Sequence, residues 1–522
     1  MLRCFLALCL TLWLGAAHAL TAAQALAMAA GDTDDRVAAV RQAAMEPGER
    51  TADFLKALLD DEVKVAAGRA VIVRNGQGSD PVTGASVHVP EDAEDIINNN
   101  RMRGEIDTAL AAMQLLGGDE PQRLAAAQAL MKEPDPARLP LLEKALAQES
   151  SRRVKDQIAL ALAATQLGSD EADARKRAAE ALAHHPTPDT RLLLNERIAT
   201  EEDTGVKAQL QRSLAQVDDS LAWGERLGAA FTGISLGSIL LLVALGLAIT
   251  YGLMGVINMA HGELMMIGAY ATYVVQGLFQ KYLPGAFDWY LVAAVPLAFG
   301  ASAAVGAVLE RGVLRFLYGR PLETLLATWG ISLVLQQLVR SVFGAQNVGV
   351  ENPAWMSGGV QVLSNLTLPY NRLVIIGFAA AVLLGMGYLI GRTRLGLFVR
   401  GVTQNRPIAS CMGVNTARTD TLAFALGSGI AGLAGCALSQ VGNVGPDLGQ
   451  SYIVDAFMVV VLGGVGQLAG TVYAALGLGV LNKFIEGWAG AVLAKIAVLV
   501  FIIIFIQKRP QGIFAVKGRT AD

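Results

Sequence analysis

Long apolar runs recur along the chain from about residue 230 onward. Their lengths approach the ~20 residues that an α-helix needs to cross a lipid bilayer. They predict eight or nine membrane-spanning helices, at about 234–257, 259–280, 290–310, 323–343, 372–391, 420–441, 452–466, 467–485 and 490–507. The seventh and eighth runs are short and rich in glycine, which predicts that one of them is broken or re-entrant. Such backbone must be shielded by protein or line a wet cavity.

Before these runs, apolar residues follow helical spacing in an alanine-rich region. Residues 125–149 align with residues 177–201, and the two segments share alanines, leucines and prolines at the same positions. Each copy predicts a helix, a proline-marked turn, a helix and a further helix, which resembles HEAT-type repeats. Residues 33–65 are a candidate for a degenerate third copy. Residues 70–89 carry Gly, Asn and Pro between β-rich runs and predict a small hairpin.

The N-terminus has the form of a secretory signal peptide. A short basic start and an apolar run precede the small-x-small pattern AHA, which ends at residue 19 and predicts cleavage there. The alternative is an uncleaved anchor, although the run is shorter than a membrane span requires. Residues 1–19 are therefore predicted to be a signal peptide, residues 20–222 an exported helical-repeat domain, and residues 223–522 a transmembrane domain.

Charge divides the chain in the same way. Residues 20–220 hold 34 acidic and 23 basic residues, whereas residues 221–522 hold 11 acidic and 18 basic residues. Hydrophobic residues make up 53% of the chain and charged residues 17%, which excludes a wholly soluble enzyme and a disordered protein. The exported region has no cysteine pair for a disulfide, and no Cys/His cluster has the spacing of a zinc site.

Basic residues predict the orientation of the membrane helices. Arginines and lysines cluster in the loop 311–320, in the loop 391–418 and after residue 507. Such clusters favour the cytosolic side, so these loops and the C-terminus are predicted to be cytosolic. With nine crossings, the helical repeats then lie outside, in agreement with the signal peptide. The chain is predicted to be a multi-pass protein of the bacterial inner membrane with a periplasmic N-terminal domain.

Polar residues interrupt one apolar stretch, in the motif VINMAHGELMMIGAY. Asn258, His261 and Glu263 lie there beside glycines, as in the broken helices of transporter substrate sites. Ionisable groups at membrane depth are costly and suggest function, and Thr328 and Gln336 are candidates to line the same pathway. One alternative places His261 and Glu263 near the cytosolic interface, where they only shape the helix. Another has Thr328 and Gln336 bonding between helices.

The basic loop 391–418 is long and patterned like short helices, which favours docking of a partner over a simple positive-inside anchor. The chain has no G-x-x-x-x-G-K-[ST] phosphate loop and is not expected to bind ATP by that route. We therefore expect that it is not an enzyme and carries no cofactor or metal. If transport is driven by ATP, the ATPase is a separate chain.

Three motifs now resemble a known family. VINMAHGELMMIGAY, GRTRLGLFVRGVTQNRPIASCMGVN, and VVLGGVGQLAGTVYAALGLGVLNKF with the terminal KRPQGIF resemble, over about 230–516, the branched-chain amino-acid permease family of bacterial ABC importers. WGISLVLQQ, VGVENPAW and the long N-terminal extension are most similar to the urea-importer permeases of that family, which carry an exported N-terminal domain. Met259 stands where this family usually has phenylalanine.

The resemblance implies an all-α polytopic bundle that works with a second related permease chain, two cytosolic ABC ATPases that use ATP, and a periplasmic solute-binding protein. The resemblance also implies contact with membrane lipid and none with nucleic acid. The broken-helix motif would be carried by Asn258, Ala260, His261 and Gly262. The ATPase-coupling loop would be carried by Arg394, Gly396, Arg400, Asn405, Arg406 and Gly413.

The expected function is import of urea or a short amide from periplasm to cytosol by alternating access. Urea is neutral and rich in hydrogen-bonding groups, so uncharged residues such as Asn258 and Thr328 suit it. The alternative is a permease for branched-chain or other amino acids, which would favour ionic partners. A passive urea channel would not need the basic docking loop, and a receptor with an exported sensor domain would have fewer spans and a cytosolic output domain.

Overall fold

The computed structural model describes residues 20–44, 48–74, 76–90, 93–132, 134–255, 258–464, 466–509 and 512–514. The predicted signal peptide, residues 1–19, lies outside the described residues. The chain divides into two compact units, Met1–Leu221 and Ala222–Asp522. Helices predominate in both units, so the predicted all-α fold class is confirmed.

The first unit contains nine complete helices in its described residues and the beginning of a tenth. They are α1 (Ala22–Ala29), α2 (Thr33–Ala44), α3 (Glu49–Leu59), α4 (Asn100–Gly117), α5 (Glu120–Lys132), α6 (Leu139–Gln148), α7 (Arg152–Gln166), α8 (Ala172–Ala183), α9 (Pro188–Thr200) and α10 (Thr204–Met254). Helices α5–α7 form one repeat, and α8, α9 and the first turns of α10 form the next. Their alanines and leucines pack into one buried cluster.

An ion pair recurs in these two repeats. Arg123 on α5 donates from Nε to Glu149 Oε2 at 2.8 Å, and Arg175 on α8 donates from Nε to Glu201 Oε2 at 3.0 Å. Each carboxylate also accepts a backbone N–H just before the third helix of its repeat, from Ser151 at 2.8 Å and from residue 203 at 3.1 Å. The pair therefore links the first helix of each repeat to the start of the third.

A degenerate third repeat precedes them. Arg36 takes the position on α2 that Arg123 takes on α5, it is buried, and its Nη2 donates to Asn98 Oδ1 at 2.5 Å. Asn98 precedes α4 much as Glu149 precedes α7. The first repeat is thus α2, α3 and α4, with an amide in place of the carboxylate. Its third helix lies beyond the predicted segment 33–65 because a sheet is inserted after α3.

The inserted sheet is fully antiparallel. Its strands are β1 (Val63–Ala66), β2 (Arg69–Arg74), β3 (Gln77–Ser79), β4 (Ser86–Val87) and β5 (Glu94–Asp95), in the order β4-β3-β2-β1-β5. The hairpin predicted at 70–89 is confirmed by the pairing of β2 with β3, and Gly76 adopts φ +79° in its turn. The sheet is larger than predicted because β1 also pairs with β2, through a turn in which Gly68 has φ +75°.

The carboxylate of Glu201 is held in its charged form. Burial alone would raise its pKa, but hydrogen bonds from Arg175, from the residue 203 backbone and from Arg197 outweigh burial and lower the pKa. A depressed pKa stabilises the fold above the pKa of unfolded glutamate, near 4.3, and this contribution is lost as the pH falls through the lower folded value.

Glu201→Ala is expected to lower the free energy of unfolding of the second and third repeats by about 2 kcal/mol. The change leaves the guanidinium groups of Arg175 and Arg197 without the buried carboxylate that pairs with both. Hydrogen exchange of the α8 and α9 amides in the full chain measures it, and the loss should shrink at acidic pH. Exposed Glu196→Ala is the control and should change stability by less than about 0.5 kcal/mol. Equal protection in both variants would contradict the role of the ion pair.

The second unit contains the rest of α10 and ten further α-helices in its described residues. They are α11 (His261–Tyr282), α12 (Tyr290–Gly312), α13 (Pro321–Phe343), α14 (Tyr370–Arg392), α15 (Arg394–Gln404), α16 (Arg406–Cys411), α17 (Thr416–Ser439), α18 (Leu448–Gly463), α19 (Leu468–Ala489) and α20 (Ala491–Lys508). A hairpin of β6 (Gly359–Leu363) and β7 (Leu366–Pro369) lies between α13 and α14. The sequence did not predict this hairpin.

Each of the nine predicted apolar runs corresponds to a helix, but seven of the described helices are long and apolar enough to cross a membrane by themselves. Helix α18 has 16 residues, short of the ~20 that a span requires. Helix α11 carries Glu263 and Gln276 within its apolar sequence. These two helices account for the difference from the eight or nine predicted crossings.

Helix α17 lies at the centre of the second unit and is buried along most of its length. Glycines allow its backbone to approach α11 closely. A Cβ atom at Gly435 would lie 2.8 Å from Ala269 N, and one at Gly268 would lie 2.6 Å from Gly432 C. Small residues permit such packing where lipid gives no hydrophobic drive for helix association. Helices α11, α12 and α17 therefore form a tight core that fixes the position of α11.

Candidate functional site

The apolar stretch breaks between α10 and α11, as the motif predicts. Gly255 follows α10 with φ +65°, and Asn258 then shapes the start of α11. Its Oδ1 accepts from Ala260 N at 3.1 Å, and its carbonyl accepts from His261 N at 3.2 Å. Val256 and Ile257 lie outside the described residues. Asn258 therefore fixes the start of α11 through one side-chain and one backbone hydrogen bond.

Glu263 on α11 faces α13. Its Oε1 accepts from Ser332 Oγ at 3.0 Å and from Gln336 Nε2 at 2.7 Å. One turn earlier, Met259 N donates to Thr328 Oγ1 at 3.2 Å. Ser332 and Gln336 lie midway along α13, so Glu263 is level with the middle of that helix. This geometry does not support the alternative that placed Glu263 near the cytosolic interface. Gln336 and Thr328 do bond to α11 and to the residue before Ala260, as the other alternative expected.

A polar stripe runs along one face of α13. Every fourth residue is polar and buried: Thr324, Thr328, Ser332 and Gln336. This spacing puts all four side chains on one face of the helix. The line continues to Arg340, whose Nη2 donates to Asp447 Oδ1 at 2.5 Å. The sequence analysis selected Thr328 and Gln336 but missed Ser332, although Ser332 lies four residues from each of them, on the same helical face.

His261 does not join this stripe. Its ring is fully buried, and Nε2 lies 3.1 Å from the carbonyl oxygen of Val243 on α10. Gly246 makes room for the ring, since a Cβ atom there would lie 3.0 Å from His261 Cε1. The structure thus brings Asn258, Glu263, Thr328 and Gln336 together and separates His261 from them, against α10.

Three polar atoms beside the stripe are buried and have no hydrogen-bond partner among the residues that the structure describes: Asn258 Nδ2, Glu263 Oε2 and Tyr270 Oη. Glu263 and Tyr270 are seven residues apart on α11 and therefore share one face. Buried polar atoms usually find partners, so an unpartnered one is unusual. These atoms are a donor, a carboxyl oxygen and a phenol whose hydrogen-bonding capacity the described residues leave unused.

Two helix N-termini meet at this site. Gly262 in the first turn of α11 packs against Gly449 in the first turn of α18, and a Cβ atom at Gly449 would lie 2.8 Å from Glu263 N. The N-terminal end of a helix carries a positive partial charge. The site therefore combines a buried carboxyl with two positive helix ends, and sequence reasoning could not place residues so distant along the chain together.

The basic loop 391–418 folds into α15 and α16, as its pattern predicted. Thr393 caps α15 by accepting from Gly396 N at 3.3 Å, and Asn405 caps α16 by accepting from Ile408 N at 3.1 Å. Gly396 packs on α14, since a Cβ atom there would lie 2.5 Å from Ile390 Cα. Gly413 has φ +85° between α16 and α17, a conformation that favours glycine.

Charged side chains tie α16 to the rest of the second unit. Arg406 at the start of α16 pairs with the buried carboxylate of Asp420 on α17, and its guanidinium lies 4.6 Å from the ring centroid of Tyr318. By contrast, Arg394 and Arg400 are exposed, and Arg400 Nε donates only within α15, to the Gly396 carbonyl at 3.3 Å. Of these three arginines, Arg406 is thus the one whose guanidinium contacts neighbouring elements.

The network continues to α12 through Glu310, which is fully buried. Its carboxylate accepts from Thr421 Oγ1 at 2.5 Å and from Tyr318 Oη at 3.2 Å, and Arg315 Nη2 lies 3.6 Å away. Burial and the nearby carboxylates raise the pKa of Tyr318, so its phenol stays protonated and donates. We call this set the coupling cluster: Glu310, Arg315, Tyr318, Arg406, Asp420 and Thr421.

Comparison with known proteins agrees with the sequence motifs. Residues 229–507 match the family described as branched-chain amino acid transport system permease component. The chain is 30% identical over 291 residues to the high-affinity branched-chain amino acid transport system permease protein LivH of Salmonella typhimurium, which covers 54% of this chain and 93% of that protein. No solved structure matches the chain.

More distant relatives include other importers. The chain is 25% identical over 301 residues to the probable branched-chain amino acid transport permease protein LivH of Methanocaldococcus jannaschii, covering 53% of this chain and 89% of that protein. It is 29% identical over 199 residues to the ribose import permease protein RbsC of Escherichia coli, covering 36% of this chain and 60% of that protein.

The family match starts at residue 229, so it covers the apolar helices and leaves the helical repeats of the first unit outside it. The seven apolar helices and the permease relatives together identify a multi-pass membrane protein. The family resemblance predicted from the motifs is confirmed. The chain belongs to the family of permease components of branched-chain amino acid transport systems.

Proposed function

We propose that the chain is the membrane permease subunit of an ATP-driven importer that moves branched-chain or other apolar amino acids from periplasm to cytosol by alternating access. Two of the three relatives named above carry branched-chain amino acids in their names and the third carries ribose, which favours the amino-acid alternative over the urea prediction. The urea-importer resemblance rests on short motifs and on the N-terminal extension, which the family match does not cover.

One observation carries the choice of substrate, namely the Glu263 carboxyl on α11, which faces the polar stripe of α13. The urea prediction emphasised uncharged lining residues such as Asn258 and Thr328. Glu263, whose Oε2 has no partner among the described residues, suits the ammonium group of an amino acid. The N-termini of α11 and α18 meet beside it and favour a carboxylate. A zwitterion therefore finds a complement for each of its charges, whereas neutral urea has no charge to match them.

The coupling loop supports the ATP-driven mechanism. Helices α15 and α16 expose apolar and basic side chains side by side: Arg394, Leu397, Phe398, Arg400, Ile408 and Met412. Such a surface suits docking of a soluble partner. In this proposal two cytosolic ABC ATPases dock here and use ATP, a second related permease chain completes the pathway, and a periplasmic binding protein delivers the solute. The first unit is then periplasmic and the C-terminus cytosolic, in the inner membrane.

Uptake by the assembled complex in proteoliposomes tests the proposal. Radiolabelled leucine should accumulate only with ATP and the binding protein, and excess valine should compete whereas excess urea should not. Labelled urea taken up in place of leucine would restore the urea prediction. Leucine flux without ATP would indicate a passive channel and would overturn the proposed mechanism.

A further inference from the structure

A pocket in the first unit lies between its first and second helical repeats. It has a volume of about 270 Å³ and is lined by α2, α4 and the segment that begins α6. Its floor is apolar and consists of small or aliphatic buried residues, namely Ala44, Ala109, Ala112 and Leu141. Because ligand pockets for drug-sized molecules span roughly 300–1,000 Å³, this one suits a smaller solute.

Charged side chains surround the pocket. Arg41 donates from Nε and Nη2 to the two oxygens of Glu105, at 3.1 and 2.6 Å, and its Nη2 also lies 3.1 Å from Asp135 Oδ2. Arg138 lies 3.8 Å from both of these carboxylates. Two guanidinium groups and two carboxylates therefore alternate beside one apolar floor, and their formal charges cancel.

Repeat packing does not require this arrangement. In the first repeat the position of the recurring ion pair is already taken by Arg36 and Asn98. In the equivalent groove between the second and third repeats, Arg197 is bonded to Glu201 inside the structural ion pair. The charged cluster at the first groove is thus additional to the contacts that hold the repeats together.

We propose that this pocket binds a free amino acid with a short apolar side chain. The α-carboxylate would exchange places with Glu105 or Asp135 on the guanidinium groups, and the α-ammonium would bond to those acids. Because charged partners replace charged partners, the ion pairs that open are compensated by new charge-assisted hydrogen bonds. The alanines of the floor leave room for the side chain. The first unit is then a solute-binding module in its own right, separate from the site at Glu263.

Calorimetric titration of the full chain in lipid nanodiscs tests this site. L-Leucine and L-alanine should bind, whereas 4-methylpentanoate, which lacks the ammonium, and 3-methylbutylamine, which lacks the carboxylate, should bind at least about tenfold more weakly. Arg41→Gln and Glu105→Gln should each weaken leucine binding at least about tenfold. Thr108→Phe should abolish it by filling the pocket without any change of charge.

Matched variants distinguish binding in this pocket from binding elsewhere on the chain. Arg101→Gln removes an exposed arginine of α4 whose partner is Asp34, and it should leave the affinity unchanged. All of these titrations use the Glu263→Gln background, so that leucine bound at the proposed transmembrane site does not add to the measured heat. Absence of leucine binding, equal binding of the two half-ligands, or full binding by Thr108→Phe would overturn the proposal. If Glu263→Gln by itself removes the leucine heat seen with the unmodified chain, that heat comes from the transmembrane site, and the proposal is also overturned.

Discussion

Glu263→Gln is expected to lower ATP-dependent leucine uptake by about ten- to a hundredfold. The amide keeps the shape of the side chain and an oxygen that accepts from Ser332 and Gln336, so the contact between α11 and α13 survives. The substitution removes only the negative charge of Glu263, which we propose as the partner of the solute ammonium. Hydrogen bonds to charged groups contribute about 1.5–3 kcal/mol, which corresponds to this range of rates if the contact is made during transport.

Neighbouring residues on α13 provide a matched pair of controls. Gln336→Ala removes a buried donor to Glu263 and should lower uptake severalfold, whereas Gln337→Ala alters an exposed residue and should have no effect. Uptake is normalised to the amount of complex, and thermal unfolding of the purified complex checks its integrity. Normal leucine uptake by a well-assembled Glu263→Gln complex would show that the carboxyl does not contact the solute.

The local features of this site were readable from the sequence. The polar, glycine-flanked motif around Asn258 predicted the break before α11, and apolar runs predicted the helices that surround it. Ser332 escaped notice because a hydroxyl in a membrane helix is usually satisfied within its own helix, and only the contact with Glu263 distinguishes it. The contact between Gly262 and Gly449 depends on tertiary packing. No fixed spacing along a single sequence predicts such a contact between distant residues.

The first unit shows the same limit. Glu149 and Glu201 end the two aligned segments, 125–149 and 177–201. The arginines of the recurring ion pair, Arg123 and Arg175, lie two residues before those segments begin. The degenerate copy was recognisable by helical spacing, while its third helix was hidden by the inserted sheet. Strand β5, Glu94–Asp95, has no β-rich pattern at all and exists only because β1 offers an edge to pair with.

Arg406→Ala is expected to uncouple ATP hydrolysis from transport, with at least about a tenfold loss of leucine moved per ATP hydrolysed. Arg406 joins α16 to α17 through Asp420 and to the segment before α13 through Tyr318. Its removal leaves the buried Asp420 carboxylate without its cation. Because the Arg406 side chain is 39% exposed, we discount the full cost of a broken buried pair to about 2 kcal/mol.

The matched control is Arg311→Ala, which removes an exposed arginine at the end of α12 that belongs neither to the docking surface nor to the coupling cluster. It should retain the coupling ratio. The ratio of leucine transported to ATP hydrolysed is measured in proteoliposomes for both variants. An Arg406→Ala complex with an unchanged ratio would rule out a coupling role for the cluster.

The double variant Arg406→Ala, Asp420→Asn separates positioning from direct docking. If Arg406 acts by anchoring α16 on α17, much of its defect comes from the uncompensated buried charge, and neutralising Asp420 should restore part of the coupling ratio. If Arg406 instead bonds to the ATPase, Asp420→Asn restores nothing. We expect partial recovery, because the hydrogen bond from Thr421 to Glu310 still joins α17 to α12. The rest of the coupling cluster therefore stays in place without Arg406.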